Sequence, residues 1–252
     1  MTEVHISNGS PLEHRVVERI EPIPKADFPH HLYPRWIGHK FSPGGTALHF
    51  PGNTVMAHLP SDSQFRHDLQ ELVDILQGHE SSPAFSFLPS SSWHMTLYEC
   101  VTDQIRQRKS YPGDLELDTS LNVCHAHLAT HLAKFDHSLN SGVGCMTVSG
   151  NEPILDGLGL TLRPYDGRDT IMRDFRDSLS EILKMCHPGH DTYSWHMALA
   201  YTLRPLTAQE ENSIRECFRT WREVKTRTFK LGKPEFCVYD DMCAFRRVFY
   251  LE

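Results

Sequence analysis

No stretch of the 252-residue sequence approaches the roughly 18 consecutive apolar residues of a membrane-crossing helix, so no bilayer-spanning segment is expected. The opening Met1-Thr2-Glu3-Val4-His5 has neither the basic nor the apolar region of a secretory signal. Paired cysteine motifs are absent too. The seven cysteines (100, 124, 145, 186, 217, 237, 243) are odd in number and contain no CxxC. This predicts reduced thiols in a cytoplasmic protein rather than a disulfide framework or a zinc ribbon. There is no excess of positive charge: Lys+Arg is 25 against Asp+Glu 32, a net −7 with neutral histidines. That balance disfavours a protein that coats long nucleic acid or an anionic membrane. Walker A, GxSxG and kinase signatures are missing, and Gly142-Val143-Gly144 lacks the strand–GxGxxG–helix context of a dinucleotide site. What remains is a soluble protein acting on a small molecule or short nucleotide, with no cofactor implied and no oligomeric state specified.

The composition is that of a globular chain, with 39% hydrophobic, 23% charged and 10% aromatic residues. A chain of this length hides roughly 70–75% of its unfolded surface and needs no disulfide or metal staple. Residues 1–45 carry six prolines and little periodicity, which predicts an arm wrapping a body formed by 46–252. In that body, Thr54–Leu59 reads as a strand ended by Pro60. Ser61-x-x-Gln64 resembles a capping box opening a helix with Phe65, Leu69, Leu72, Val73 and Leu76 on one face. A strand over 93–101 follows, then a helix over 119–139 with Leu121, Cys124, Leu128, Leu132, Phe135 and Leu139 in one stripe. Strands are predicted over 143–149 and 157–163. A helix over 168–186 faces Ile171, Met172, Phe175, Leu179, Ile182 and Leu183 inward, ended by His187-Pro188-Gly189. A strand over 193–203 and a helix capped by Thr207-x-x-Glu210 lead to two strands around Asp240-Asp241. Helices and strands alternate throughout, so the class is α/β or α+β.

Histidine is the compositional outlier, with 17 residues. Two of them sit in a repeat: Ser92-Trp93-His94-Met95-Thr96-Leu97 recurs as Ser194-Trp195-His196-Met197-Ala198-Leu199, five of six positions identical. Side chains alternate across a strand, so His94, Thr96 and Tyr98 are predicted on one face and Met95 and Leu97 on the other. His196 and Ala198 share the corresponding face of the second copy. A duplicated packing motif explains the Trp-Met-Leu side but gives no reason to keep an imidazole opposite it. Both histidines are therefore expected to face one cavity.

These hexamers, with Phe50-Pro51-Gly52-Asn53-Thr54-Val55, His58-Leu59, Tyr193 and Tyr201, resemble the 2H phosphoesterase superfamily with its two H-x-(S/T)-x motifs. This is the LigT-like cyclic phosphodiesterase fold, and the likeness over about 36–252 is to its uncharacterised microbial and fungal DUF1868-like branch. The resemblance implies a bilobal α+β fold with two pseudo-symmetric antiparallel sheets, flanked by helices, around a central groove. It implies phosphodiester or 2′,3′-cyclic phosphate hydrolysis without a metal. His94 and His196 then serve as general acid and base, and Thr96 as donor to the phosphate. Ala198 departs from the pattern, because the second motif's hydroxyl is missing. The alternative is that the same groove is reassigned to non-phosphate acid–base chemistry, an isomerisation, cyclisation or elimination of a small metabolite. Tyr98, Tyr193, Tyr201 and His58 are the further candidates for shaping the pocket.

Other signals are weaker. His127 and His131 have the i, i+4 spacing of a metal pair, but no third ligand is evident in sequence and the helix face is read as solvated. The basic clusters Arg106-Gln107-Arg108-Lys109 and 222–227 read as helix ends, or as backbone contacts if the substrate is RNA.

Overall fold

The alternating segments assemble, in this computed structural model, mainly into two four-stranded antiparallel sheets; the residues described are 33–251 except 137, 139–142, 150–151 and 226–227. In the first sheet β1 (Gly52–His58) lies between β3 (His94–Thr102) and β9 (Glu235–Tyr239), and β10 (Arg246–Tyr250) forms the outer edge. The second sheet runs β6 (His196–Ala198), β5 (Gly159–Pro164), β4 (Cys145–Val148) and β8 (Thr228–Lys230). A short ribbon pairs β2 (Phe85–Phe87) with β7 (Ala200–Thr202). Each histidine hexamer thus opens an edge strand, β3 in one sheet and β6 in the other, and these two edges lie against each other. Helix α1 (Gln64–Gln77) packs on α4 (Ala208–Val224), and α2 (Leu121–Leu132) packs on α3 (Asp169–Leu183). The fold is mixed α+β of the bilobal kind. No helix among the described residues is long and apolar enough to cross a membrane.

The apolar stripes form the core largely as their spacing requires. Phe65, Leu69, Leu72, Val73 and Leu76 of α1 are all buried. Phe65 stacks on Phe229 at 3.9 Å, and the Trp221 indole of α4 donates to the Asp68 carbonyl at 2.7 Å. Each such side chain contributes about 1.5–3 kcal/mol through burial. In α3 the exception is Ile171, which is exposed.

Several boundaries differ from expectation for local reasons. The Ser61–Gln64 box does not form: Ser61 and Asp62 turn after Pro60, Ser63 is the N-cap, and the Gln64 amide donates to Asp68 instead. The Thr207–Glu210 box is complete. Helix α2 stops at Leu132 and α3 at Leu183, where Lys184 takes a left-handed φ of 51° ahead of the expected His-Pro-Gly stop. Leu139 lies outside the described residues. The strand over 193–203 splits at Leu199, because the N–H groups of Leu199 and Ala200 both donate to the Leu158 carbonyl. That kink sends β6 and β7 to different sheets. Of the segment read as an arm, 1–32 lies outside the described residues, whereas Ile37 and Phe41 are buried in the core.

Two glycines are required by close approach. A Cβ on Gly52 would meet the Tyr239 hydroxyl at 2.5 Å and the Val101 carbonyl at 2.7 Å. A Cβ on Gly159, which pairs with Ala198, would meet the Met197 carbonyl oxygen at 2.5 Å. Backbone cannot yield as a flexible side chain does. Gly159→Ala is therefore expected to lower stability by about 1–3 kcal/mol in urea unfolding. An unchanged midpoint would show that β5 and β6 are not tightly apposed.

Candidate functional site

The adjoining edges of the two sheets border a cavity of about 420 Å³, and His94 and His196 both line it. Their surroundings repeat as their sequences do. Each ring nitrogen Nδ1 meets the carbonyl two residues earlier, His94 with Ser92 at 2.6 Å and His196 with Ser194 at 3.0 Å. A carbonyl only accepts, so Nδ1–H is the donor in both rings and a neutral ring carries its lone pair on Nε2. Burial pushes the His94 imidazole down to about 4, opposed by its bond to Ser92 and reinforced by His58, His196 and Lys40. At neutral pH His94 is uncharged. Phe245 packs edge-on to it at 4.4 Å between ring centroids.

The folded protein holds fewer protons on His94 than the unfolded chain between about pH 4 and 6.5, so this group's contribution to stability rises with pH there. It is complete above about 6.5 and is lost as pH falls through 4. A His94→Gln variant is expected to lose less stability than the wild type between pH 6.5 and 4, by on the order of 3 kcal/mol. Denaturant unfolding at several pH values measures this. Parallel pH curves for the two proteins would contradict it.

Among the other sequence candidates, Thr96, Ala198 and Tyr201 line the cavity. Tyr98, Tyr193 and His58 do not belong to its wall. For Tyr98 the cause is a bulge: Met56 pairs with Thr96 but the adjacent Val55 pairs with Tyr98, so Leu97 is an extra residue and the facing of β3 inverts there, until a second irregularity between Thr54 and Gly52. Tyr98 turns into the core, where its hydroxyl donates to the Met185 carbonyl at 2.5 Å, and Glu99 takes the cavity side. Tyr193 sits behind the wall, its hydroxyl donating to the Thr96 carbonyl at 3.3 Å. The Arg176 guanidinium lies 3.9 Å from the Tyr193 ring centroid and donates to the Leu97 carbonyl at 2.5 Å. This pair ties the entrance of β6 to β3. His58 stands beside His94 at 6.0 Å between centroids, with Nδ1 bonded to Glu235 at 2.5 Å.

The Gly-Asn-Thr run of β1 supports the irregular partner strand. The Asn53 side chain accepts from the Val101 N–H at 2.8 Å and contacts His125 Nδ1 at 2.7 Å. The Thr54 hydroxyl donates to the Tyr98 carbonyl at 3.0 Å. These bonds replace ladder contacts that the irregular register gives up.

Sequence reasoning missed the wall supplied by residues 35–50. Lys40, Arg35, Trp36 and Phe50 all line the cavity. Their only sequence signal was Trp36 and Lys40 standing among prolines that read as a non-folding arm. Lys109 of the first basic cluster also lines it, whereas Arg106 and Arg108 donate to the carbonyls of Thr119 and Leu115. The structure adds Asp114 beside His127 and His131, the third potential ligand that the sequence did not reveal. Asp114 accepts from His127 Nε2 at 3.0 Å and from Lys184 at 2.7 Å, and the cluster lies on the surface away from the cavity lining.

Residues 40–152, which include Lys40 and His94, match the family model described as "2H-phosphodiest: Domain of unknown function (DUF1868)". Over those residues the chain is similar to that family. It is similar to a crystal structure of the conserved protein of unknown function ATU0111 from Agrobacterium tumefaciens str. C58. The TM-score there is 0.76 with 25% identity, covering 87% of this chain and 94% of that one. It also matches E. coli LigT complexed with NADP+ at TM-score 0.47 and 8% identity, covering 79% of this chain and 96% of the other. No curated protein matches.

Proposed function

We propose that the protein hydrolyses a 2′,3′-cyclic phosphate or a related phosphodiester without a metal, with His94 as general base and His196 as general acid. The observation that carries this reading is the repeated one. Two edge strands present two histidines to one cavity, each with Nδ1 tied to its own chain and no hydrogen bond on Nε2 from the described residues. Imidazole can act as base or as acid. His94, kept neutral by burial, takes a proton from water on Nε2 as the water oxygen attacks phosphorus. The bond from phosphorus to the leaving oxygen breaks, and that oxygen takes the proton of a His196 imidazolium. Proton exchange with solvent then restores both rings. The Thr96 hydroxyl donates to a nonbridging oxygen as its charge builds.

A groove reassigned to a neutral metabolite would explain Ala198, but it would not explain the charge of the wall. Arg35, Lys40 and Lys109 line the cavity against Glu99 as its only carboxylate among the described residues. An anionic substrate is favoured. The substrates proposed are small molecules or short nucleotides in the cytoplasm. Incubation with 2′,3′-cyclic nucleotides, with product nucleoside monophosphates quantified, tests the reading. Turnover is expected and is expected to withstand a chelator. Absence of hydrolysis across cyclic and linear phosphodiesters overturns the reading, and loss to chelator restored by zinc overturns its metal-free part.

A further inference from the structure

Lys40 is a cation enclosed by aromatic rings. Its Nζ lies 4.2 Å from the Trp36 ring centroid, 5.1 Å from that of Phe50 and 5.6 Å from that of Tyr201. It donates one hydrogen bond, long at 3.4 Å, to the Tyr201 hydroxyl. Among the described residues no carboxylate lies within ion-pair distance of it. Aromatic faces attract the charge but leave its remaining N–H donors unused. A half-buried ammonium in that condition is costly unless a ligand supplies the acceptor. Its position is held by the Phe41 ring against Tyr201 at 4.7 Å and by the Leu48 N–H bond to the Lys40 carbonyl at 2.9 Å.

The location is informative. Tyr201 follows Ala198 by three residues across the Leu199 kink, and Lys40, Tyr201, Ala198 and both motif histidines line one cavity. Thr96 serves the β3 side, while the β6 side has no hydroxyl. We propose that Lys40 is the anion-binding group of the β6–β7 side, donating to a nonbridging oxygen of a tetrahedral phosphate in place of the hydroxyl absent at Ala198. The choice of phosphate rests on the phosphoesterase reading; the anion subsite itself does not.

Burial brings the Lys40 ammonium down to about 8, with Glu99 opposing and Arg35 adding to the shift. Tyr201, held protonated by burial, and neutral His94 also face it. Its charge therefore disappears as pH rises from 7 to 9, a window in which sulfate remains a dianion. Titration calorimetry of the full chain with sulfate is the direct test. Wild type is expected to bind at pH 7 and to weaken about tenfold by pH 9, following the charged fraction of Lys40. Lys40→Met is expected to bind at least tenfold more weakly at pH 7. Lys40→Arg should bind at both pH values, since guanidinium stays charged. Failure of the wild type to bind sulfate, or wild-type affinity in Lys40→Met, overturns the proposal. If Lys40→Met does not fold, the arginine variant decides: binding that survives at pH 9 supports the proposal, and a loss matching wild type refutes it. Cyclic nucleotide hydrolysis separates the two readings. Sulfate binding through Lys40 without turnover of any phosphodiester leaves the subsite standing and removes the phosphoesterase. Turnover with Lys40→Met binding sulfate normally does the reverse.

Discussion

His94→Ala and His196→Ala are each expected to lower phosphodiester turnover by about 10²–10⁴-fold while the fold persists. Both imidazoles stand at the cavity, and each forms its Nδ1 bond to its own chain two residues back, so removing a ring breaks no bond between lobes. The double variant should be little worse than either single one, because base and acid act on the same transition state. The leaving group distinguishes their roles. A p-nitrophenyl phosphodiester departs without protonation, so it should recover much of the loss in His196→Ala and almost none in His94→Ala. The opposite pattern would exchange the assignments, and near-native turnover in either alanine variant would end the two-histidine mechanism. With His94 titrating near 4, kcat/KM is expected to rise with pH through that region and to show no base limb near 6.5.

The histidine pair was legible because two strands under the same constraint kept the same residues. Trp93, Met95 and Leu97 are buried, as are Trp195, Met197 and Leu199, and the alternation leaves His94, Thr96, His196 and Ala198 on the other side. Period-two reasoning holds only while pairing is regular. One extra residue at Leu97 inverted β3 as far as a second irregularity between Thr54 and Gly52, exchanging Tyr98 for Glu99 at the cavity, and nothing in residues 93–101 marks that bulge. The signal lay in the partner strand, where Asn53 and Thr54 carry side chains able to satisfy backbone groups in an interrupted ladder. Lys40 was obscured for a different reason. Closely spaced prolines argue against regular structure, but Ile37 and Phe41 anchor the irregular chain in the core and bring Lys40 into the cavity. The fold was read more completely than the site because packing follows periodicity, whereas the wall of a cavity draws on segments remote in sequence.

Ala198→Thr is expected to act most strongly when Lys40 is neutralised. Ala198 lines the cavity, so a threonine hydroxyl at that position is presented on the β6 side. In the wild-type background that side already has the Lys40 ammonium, and the added donor should raise cyclic nucleotide turnover only severalfold. In Lys40→Met the same substitution supplies the hydroxyl donor that β6 lacks. Removing one charge-stabilising donor costs about 3 kcal/mol in an acyl-transfer oxyanion hole, so recovery on the order of 10²-fold is expected. The two substitutions should therefore be strongly non-additive, which a double-mutant cycle measures. Equal gains in both backgrounds would mean that Lys40 and residue 198 contact different parts of the substrate. A fall in both would mean that the hydroxyl meets an apolar portion of a bound molecule, in which case phosphate does not lie between Thr96 and Ala198.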